Sequence, residues 1–130
     1  MATILLVEDD APVRRVLRHM LLGHGHRVID AASAPEALAA AEAEAGPINL
    51  VIADVVMPQS NCDELVDRLR AARPGLKALL ISGYPEETLQ EHGVDPHKRP
   101  SFLQKPFTVE QLHAKIREIV EASGSRARSA

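Results

Sequence analysis

Five short apolar runs are spread along the chain. The central run, Leu50–Asp54, places four apolar residues directly before one carboxylate, and Pro58 follows four positions later. An apolar run without alternation is typical of a strand that is covered on both faces, as in a parallel sheet. The predicted strands are Thr3–Val7, Arg27–Ala31, Leu50–Asp54, Lys77–Ser82 and Ser101–Lys105.

Segments with helical spacing alternate with these runs. Apolar residues between Val13 and Leu21 recur on one helix face, and Pro12 suits the first turn of that helix. Two capping boxes, Ser33–Glu36 and Thr108–Gln111, predict where the second and the last helix begin. The predicted helices cover 12–22, 34–45, 61–73, 85–91 and 108–122. Alternation of strands and helices predicts an α/β fold with a parallel sheet and right-handed crossovers.

Composition and charge narrow the class of protein. The chain has 130 residues, 45% of them hydrophobic, and a net charge of −3, which fits one globular domain; we expect it to cover 1–122, with a disordered tail at 123–130. The acidic balance predicts no direct nucleic-acid partner and no attraction to an anionic membrane. The sequence has no membrane-length apolar run and no signal peptide, and the single Cys62 cannot form an internal disulfide, so we expect a cytoplasmic protein.

Polar side chains stand at the carboxyl ends of four of the five predicted strands. These side chains belong to Glu8 and Asp9, Asp54, Ser82 and Lys105. Parallel strands place their carboxyl ends at one edge of a sheet, where open α/β sheets bind ligands, so we expect these groups to converge. The second strand has no such group.

Three carboxylates in one pocket repel one another. At about 4 Å, two unit charges cost about 4 kcal/mol at an effective dielectric constant near 20. A hard divalent cation relieves this repulsion, and few protein ligands with several waters is the pattern of Mg²⁺. Lys105 adds a positive charge and Ser82 a hydroxyl donor. The set therefore predicts a magnesium site and a phosphoryl group on Asp54, since aspartyl phosphates are known covalent intermediates.

Four segments of the chain resemble the receiver domains of two-component response regulators. They are Ile4–Asp10, Ile52–Pro58, Leu80–Pro85 and Phe102–Phe107, in this order along the chain. The resemblance implies a flavodoxin-like, doubly wound, three-layer fold with five helices and the strand order 2-1-3-4-5. It also implies a phosphoacceptor signalling domain rather than a conventional enzyme, with self-catalysed phosphotransfer and dephosphorylation.

The resemblance assigns a role to each residue of the predicted pocket. Asp54 would accept phosphate from the phosphohistidine of a histidine kinase or a histidine phosphotransfer domain. Glu8, Asp9, Asp54 and the backbone carbonyl of Val56 would hold Mg²⁺, and Lys105 would contact the phosphoryl oxygens.

Two further residues would transmit the change. Ser82 would move to bond the phosphate, and Phe102 would turn inward as it does so. The surface formed by the fourth helix, the fifth strand and the fifth helix would then act on a downstream effector or on the cognate kinase core.

The sequence departs from the family pattern at two places. Cys62 stands in the loop after Met57–Pro58, where receivers usually have glycine, so a positive φ at this position would be strained. The segment 86–100 is rich in proline and glycine and looks unlike the regular fourth helix of the family. Together with Ser82–Pro85, it is similar in style to the receivers of hybrid histidine kinases, beside the alternative of a free-standing regulator.

Other function classes fit the sequence less well. A haloacid-dehalogenase-like phosphatase needs a second aspartate where Val56 stands, and a nucleotide-binding flavodoxin-like protein would find its phosphates repelled by Glu8–Asp10. A phosphorylation-incompetent receiver-like interaction module remains the alternative. His24 and His26 flank a glycine without a third ligand nearby in sequence, which indicates a solvated turn rather than a metal site.

Overall fold

The computed structural model describes residues 2–55, 62–85 and 101–129. The strands are β1 (Thr3–Val7), β2 (Arg27–Ala31), β3 (Leu50–Asp54), β4 (Lys77–Ser82) and β5 (Ser101–Gln104). These five parallel strands form one sheet in the order β2-β1-β3-β4-β5, which confirms the predicted flavodoxin-like order. The central strand β3 is buried at all five positions, as its unbroken apolar run predicts.

Four helices lie in the described ranges, and local sequence signals account for where they begin. They are α1 (Ala11–Gly23), α2 (Ala34–Ala43), α3 (Cys62–Ala72) and α4 (Val109–Ser129). Both predicted capping boxes form: Ser33 Oγ accepts from the Glu36 amide at 3.2 Å, and Thr108 and Gln111 exchange bonds of 2.8 and 3.1 Å. Each box satisfies amide groups that the first helical turn leaves without an intrahelical partner.

The two faces of the sheet carry separate hydrophobic clusters, which gives the predicted three layers. On one face, Leu5, Val51 and Leu80 of the strands pack with buried residues of α2 and α3. On the other face, the alternate strand residues pack with α1 and α4, through Leu17 and Leu112 among others. No helix of the described ranges is both long and apolar enough to cross a membrane.

Three predictions about the irregular segments have different outcomes. The predicted helix 85–91 falls on residues that, after Pro85, lie outside those described. Cys62 begins α3, and helical residues have negative φ, so the strain considered for a positive φ does not arise. The division into a domain at 1–122 and a disordered tail at 123–130 stays a prediction.

The turn after α1 contains more structure than its sequence indicated. His24 is exposed, but its ring stacks on that of His113 of α4, with centroids 3.5 Å apart and planes 14° apart. His26 Nδ1 accepts the Ala2 amide at 3.1 Å. The stacked pair is a packing contact between this turn and α4.

Candidate functional site

Two acidic side chains are buried at the carboxyl edge of the sheet. Asp54 is the last residue of β3 and is 5% exposed, while Glu8 directly follows β1 and is 1% exposed. Parallel pairing continues past both strand ends, because the Glu8 amide donates to the Ala31 carbonyl at 3.0 Å and the Val55 amide to the Ile81 carbonyl at 2.9 Å. These backbone hydrogen bonds hold the main chain at the two strand ends, from which the Glu8 and Asp54 side chains extend.

The Lys105 ammonium forms ion pairs with both of these carboxylates. Its Nζ lies 2.8 Å from Asp54 Oδ2 and 3.3 Å from Glu8 Oε1. The Lys105 amide donates to the Ser82 carbonyl at 2.7 Å, which extends the pairing of β4 and β5 by one residue and aims the lysine across the edge. The structure thus brings Glu8, Asp54 and Lys105 together, as the strand-end pattern predicts.

Burial and mutual charge change the proton affinities of this cluster. Burial, a hydrogen bond with Asp54 and the charge of Asp54 raise the pKa of Glu8 to about 7, against the opposing charge of Lys105. Burial alone would lower the pKa of Lys105, but its hydrogen bond to Asp54 and the charges of both acids raise it overall. Lys105 therefore remains an ammonium near neutral pH, whereas the Glu8 carboxyl keeps its proton to a higher pH than an ordinary carboxyl does.

The third acid of the predicted metal set occupies a different environment. Asp9 is exposed. Within 2–55, 62–85 and 101–129, no group of three acidic, histidine or cysteine side chains is arranged to hold a metal ion. The donor chemistry nevertheless fits Mg²⁺, because Glu8 and Asp54 already direct hard oxygen ligands at one cation, the Lys105 ammonium. Asp9 is the next residue in the chain after Glu8. The fourth predicted ligand, the Val56 carbonyl, lies outside the described residues.

Asp10, the last acid of the run, is a helix cap. Its Oδ1 accepts the Val13 amide at 3.2 Å, and its own amide donates to Glu8 Oε2 at 3.3 Å. The sequence signal for this role was an acidic residue directly before a helix with proline in its first turn. The cap connects the start of α1 to the buried Glu8 carboxylate.

The two predicted switch residues lie on neighbouring strands. Ser82, at the end of β4, is fully buried, and its Oγ accepts the Tyr84 amide at 2.9 Å. Phe102 of β5 is partly buried, pairs in register with Leu80, and packs against the cluster beneath α2 and α3. Their switching role stays a prediction.

Sequence reasoning missed one pair of residues beside the site. Arg14 of α1 donates from Nη1 to the Glu8 carbonyl oxygen at 2.9 Å, and its Nε lies 3.4 Å from Asp30 Oδ2 of β2. The sequence shows only an arginine on a surface helix and an acid near the end of a strand. Their contact depends on the packing of α1 beside β2.

Comparison with known proteins gives the same family as the motifs. The family model for the response regulator receiver domain matches residues 4–117. The chain is 37% identical over 120 residues to the sensor kinase CckA of Brucella abortus. The aligned segment covers 92% of this chain and 13% of that kinase. The chain is 32% identical over 126 residues to the response regulator receiver protein CpdR of the same species, covering 95% of this chain and all of CpdR.

Solved structures agree on the fold. The receiver domain of the hybrid histidine kinase CckA superposes with a TM-score of 0.74 at 34% identity, covering 91% of this chain and 98% of that domain. A CheY-like receiver domain from Methanospirillum hungatei gives a TM-score of 0.80 at 28% identity, with 97% and 98% covered. The strand order, the residues at the sheet edge and the family match lead to one conclusion. This chain belongs to the response regulator receiver domain family.

Proposed function

We propose that this domain is a phosphoacceptor in a two-component phosphorelay, phosphorylated on Asp54 by a histidine kinase or a histidine phosphotransfer domain. The observation that carries this proposal is the Asp54 carboxylate at the end of the buried central strand, 2.8 Å from Lys105 Nζ. A carboxylate in this position can act as a nucleophile. The adjacent ammonium is in place to stabilise the negative charge of an incoming phosphoryl group.

The reaction exchanges one bond to phosphorus for another. An Asp54 carboxylate oxygen attacks the phosphorus, the new O–P bond forms, and the P–N bond to the donor imidazole breaks. The imidazole nitrogen keeps the electron pair and takes up a proton. Lys105 then transfers its interaction from the carboxylate to the phosphoryl oxygens. Mg²⁺, when bound, supplies positive charge against those oxygens; Glu8, Asp9 and Asp54 would hold it, with the Val56 carbonyl as a further predicted ligand.

The product changes the charge beside β4 and β5. A phosphoryl group carries about −1.5 to −2 charges near pH 7. A hydroxyl has one donor and two acceptor sites, so Ser82 can bond a phosphoryl oxygen, with or without its present bond from Tyr84. Movement of Ser82 would change the space next to Phe102, and the surface of β5 and α4 would carry the change to an effector or to the cognate kinase core.

An apolar groove beside the site suits the donor. It is lined by Val13, Val16, Leu17 and Met20 of α1 and by Lys105, Pro106 and Phe107 after β5. Val16 is 55% exposed and lies among the other apolar residues of this groove, so an apolar contact surface is open to a partner there. A helix that presents phosphohistidine to Asp54 would pass close to this groove, so we assign the docking of the donor to it.

Docking can be separated from chemistry by two phosphate donors. We expect Val16→Asp to slow transfer from a phosphorylated kinase about tenfold or more while labelling by acetyl phosphate stays at the wild-type rate. Leu22→Asp is the control, because Leu22 is 44% exposed on the same helix but lies outside this groove. Equal transfer to both variants would move the docking site elsewhere.

Phosphorylation itself is tested by intact mass after incubation with acetyl phosphate and Mg²⁺. We expect one added phosphoryl group in the wild type, none with EDTA, and none in Asp54→Asn. Glu42→Gln, which removes an exposed acid of α2, should label like the wild type. A wild type that remains unlabelled, with or without Mg²⁺, would favour the phosphorylation-incompetent interaction module.

The wider context is also a proposal. The chain spans 13% of the CckA sensor kinase but the full length of CpdR, so its relatives include a receiver within a kinase and a short receiver protein. We propose that it is a receiver of one of these two kinds. We also propose that it works in the cytoplasm, because its single cysteine fits a reducing compartment.

A further inference from the structure

Arg14 connects β2 to the peptide group that follows β1. Its Nη1 donates to the carbonyl oxygen of Glu8 at 2.9 Å, and its Nε lies 3.4 Å from Asp30 Oδ2. The Arg14 side chain is only 22% exposed although α1 is a surface helix. The Arg14 guanidinium is therefore held at two places: by Asp30 of β2, and by the Glu8 carbonyl in the loop that carries the acids.

The Glu8 carbonyl, which accepts the Arg14 hydrogen bond, belongs to the Glu8–Asp9 peptide group. A peptide group is planar, so fixing the direction of its carbonyl also fixes the direction in which the Asp9 backbone leaves. Glu8 is anchored by its amide bond to Ala31 and by Lys105, and Asp10 is anchored as the cap of α1. Asp9 lies between them with an exposed side chain. The Arg14 bond acts on the peptide group directly before it.

We propose that Arg14 is a positioning residue that orients the Asp9 carboxylate toward the metal-binding edge, and that Asp30 holds Arg14 in place. This inference rests on the proposed function for its metal, but the orientation of the peptide group can be measured without it. Strand β2, which ends without a polar group of its own in the site, contributes to the site through this pair.

Arginine is suited to this task in a way that lysine is not. Its planar guanidinium presents donors in several fixed directions, so one side chain can bond a carbonyl and a carboxylate together. Arg18 offers a matched comparison on the same helix. Its Nε lies 4.0 Å from Asp30 Oδ1, and its side chain is 46% exposed; the described residues show no bond from Arg18 to Glu8.

The first test measures the peptide group directly. The Asp9 amide belongs to the same planar group as the Glu8 carbonyl, so its ¹⁵N and ¹H shifts report whether that carbonyl accepts a bond. We expect Arg14→Met to move the Asp9 amide resonance in the metal-free protein, Asp30→Asn to move it less, and Arg18→Met to leave it near the wild-type position. Arg14→Lys should restore it only in part.

The second test measures Mg²⁺ affinity in the same four variants. Loss of a group that orients a metal ligand weakens binding by about 10- to 100-fold, so we expect at least a tenfold higher Kd for Arg14→Met and little change for Arg18→Met. If Arg14→Met does not fold, Asp30→Asn decides, with a smaller change in the same direction.

The proposal is overturned if the folded Arg14→Met protein matches Arg18→Met in both the Asp9 amide shift and the Mg²⁺ Kd. A shifted amide with an unchanged Kd also overturns it, because the carboxylate would then not depend on the peptide orientation. A wild type that binds no Mg²⁺ refutes the proposed function instead, and the Asp9 amide shift alone then decides whether Arg14 orients this peptide.

Discussion

At the scale of single residues, the site is two buried acids that share one ammonium. Lys105 lies within 3.3 Å of an oxygen of both Glu8 and Asp54. Without it, two carboxylates about 4 Å apart would repel each other by about 4 kcal/mol at an effective dielectric constant near 20. Protonation of Glu8 or a bound cation is the remaining way to relieve that repulsion.

Replacement of Lys105 should therefore remove the positive charge from the site without unfolding the domain. We expect Lys105→Met to keep the fold, lose about 1–3 kcal/mol of unfolding free energy at pH 8, and label poorly with acetyl phosphate. Urea unfolding at pH 8 and intact mass measure the two effects. Lys115→Met is the matched control, since the Lys115 side chain is equally 29% exposed but lies 3.9 Å from the mostly exposed Glu118. An unfolded Lys105→Met protein would make Lys105 a structural residue.

Glu8 should give the domain a pH dependence of defined sign. Its pKa rises from 4.5 to about 7 on folding, so the folded state binds the Glu8 proton more tightly than the unfolded state does. The stability from this proton is complete below pH 4.5 and is lost as the pH rises through about 7. His26 and His113, whose pKa values burial lowers, contribute the opposite slope below pH 6.5.

The difference between two proteins isolates Glu8 from the histidines. We expect the unfolding free energy of Glu8→Gln relative to the wild type to rise between pH 5 and pH 8, because glutamine has no proton to lose. Urea midpoints at four pH values provide the measurement. Identical pH profiles for the two proteins would mean that Glu8 titrates normally.

At the scale of elements, the sheet edge is built by strand ends and the helices are set by their caps. Ser33 caps α2 through its bond from the Glu36 amide. We expect Ser33→Ala to cost about 1 kcal/mol of unfolding free energy, measured by urea unfolding, and Ser33→Asp to restore most of it because aspartate also caps. If alanine and aspartate behaved alike, the cap would not contribute.

Local signals explain what the sequence predicts well. The unbroken apolar run of β3 and the two capping boxes depend on neighbouring residues, and the structure has all of them. The convergence of Glu8, Asp54 and Lys105 follows from parallel strands alone. The Arg14–Asp30 contact and the stacking of His24 on His113 depend instead on how helices pack on the sheet. No spacing along the chain encodes that packing.

At the scale of the whole molecule, folding brings together acids that are far apart in the chain. Mg²⁺ should therefore bind the folded state better than the unfolded state, and stability should rise by about 1.4 kcal/mol at ten times Kd. We expect the Tm to rise by roughly 3–6 °C. Asp9→Asn should remove this rise and Glu42→Gln should keep it. A Tm that does not respond to millimolar Mg²⁺ would leave Glu8, Asp9 and Asp54 without the proposed cation.

The central claim is that Asp54 carries the phosphoryl group, and the most direct test is to locate that group on the chain. Borohydride reduces an aspartyl phosphate to homoserine, releasing phosphate, and peptide sequencing by mass spectrometry then identifies the position. After treatment with acetyl phosphate and Mg²⁺, we predict homoserine at position 54 and at no other aspartate. Homoserine at another aspartate, or its absence from the wild-type protein, would contradict the account.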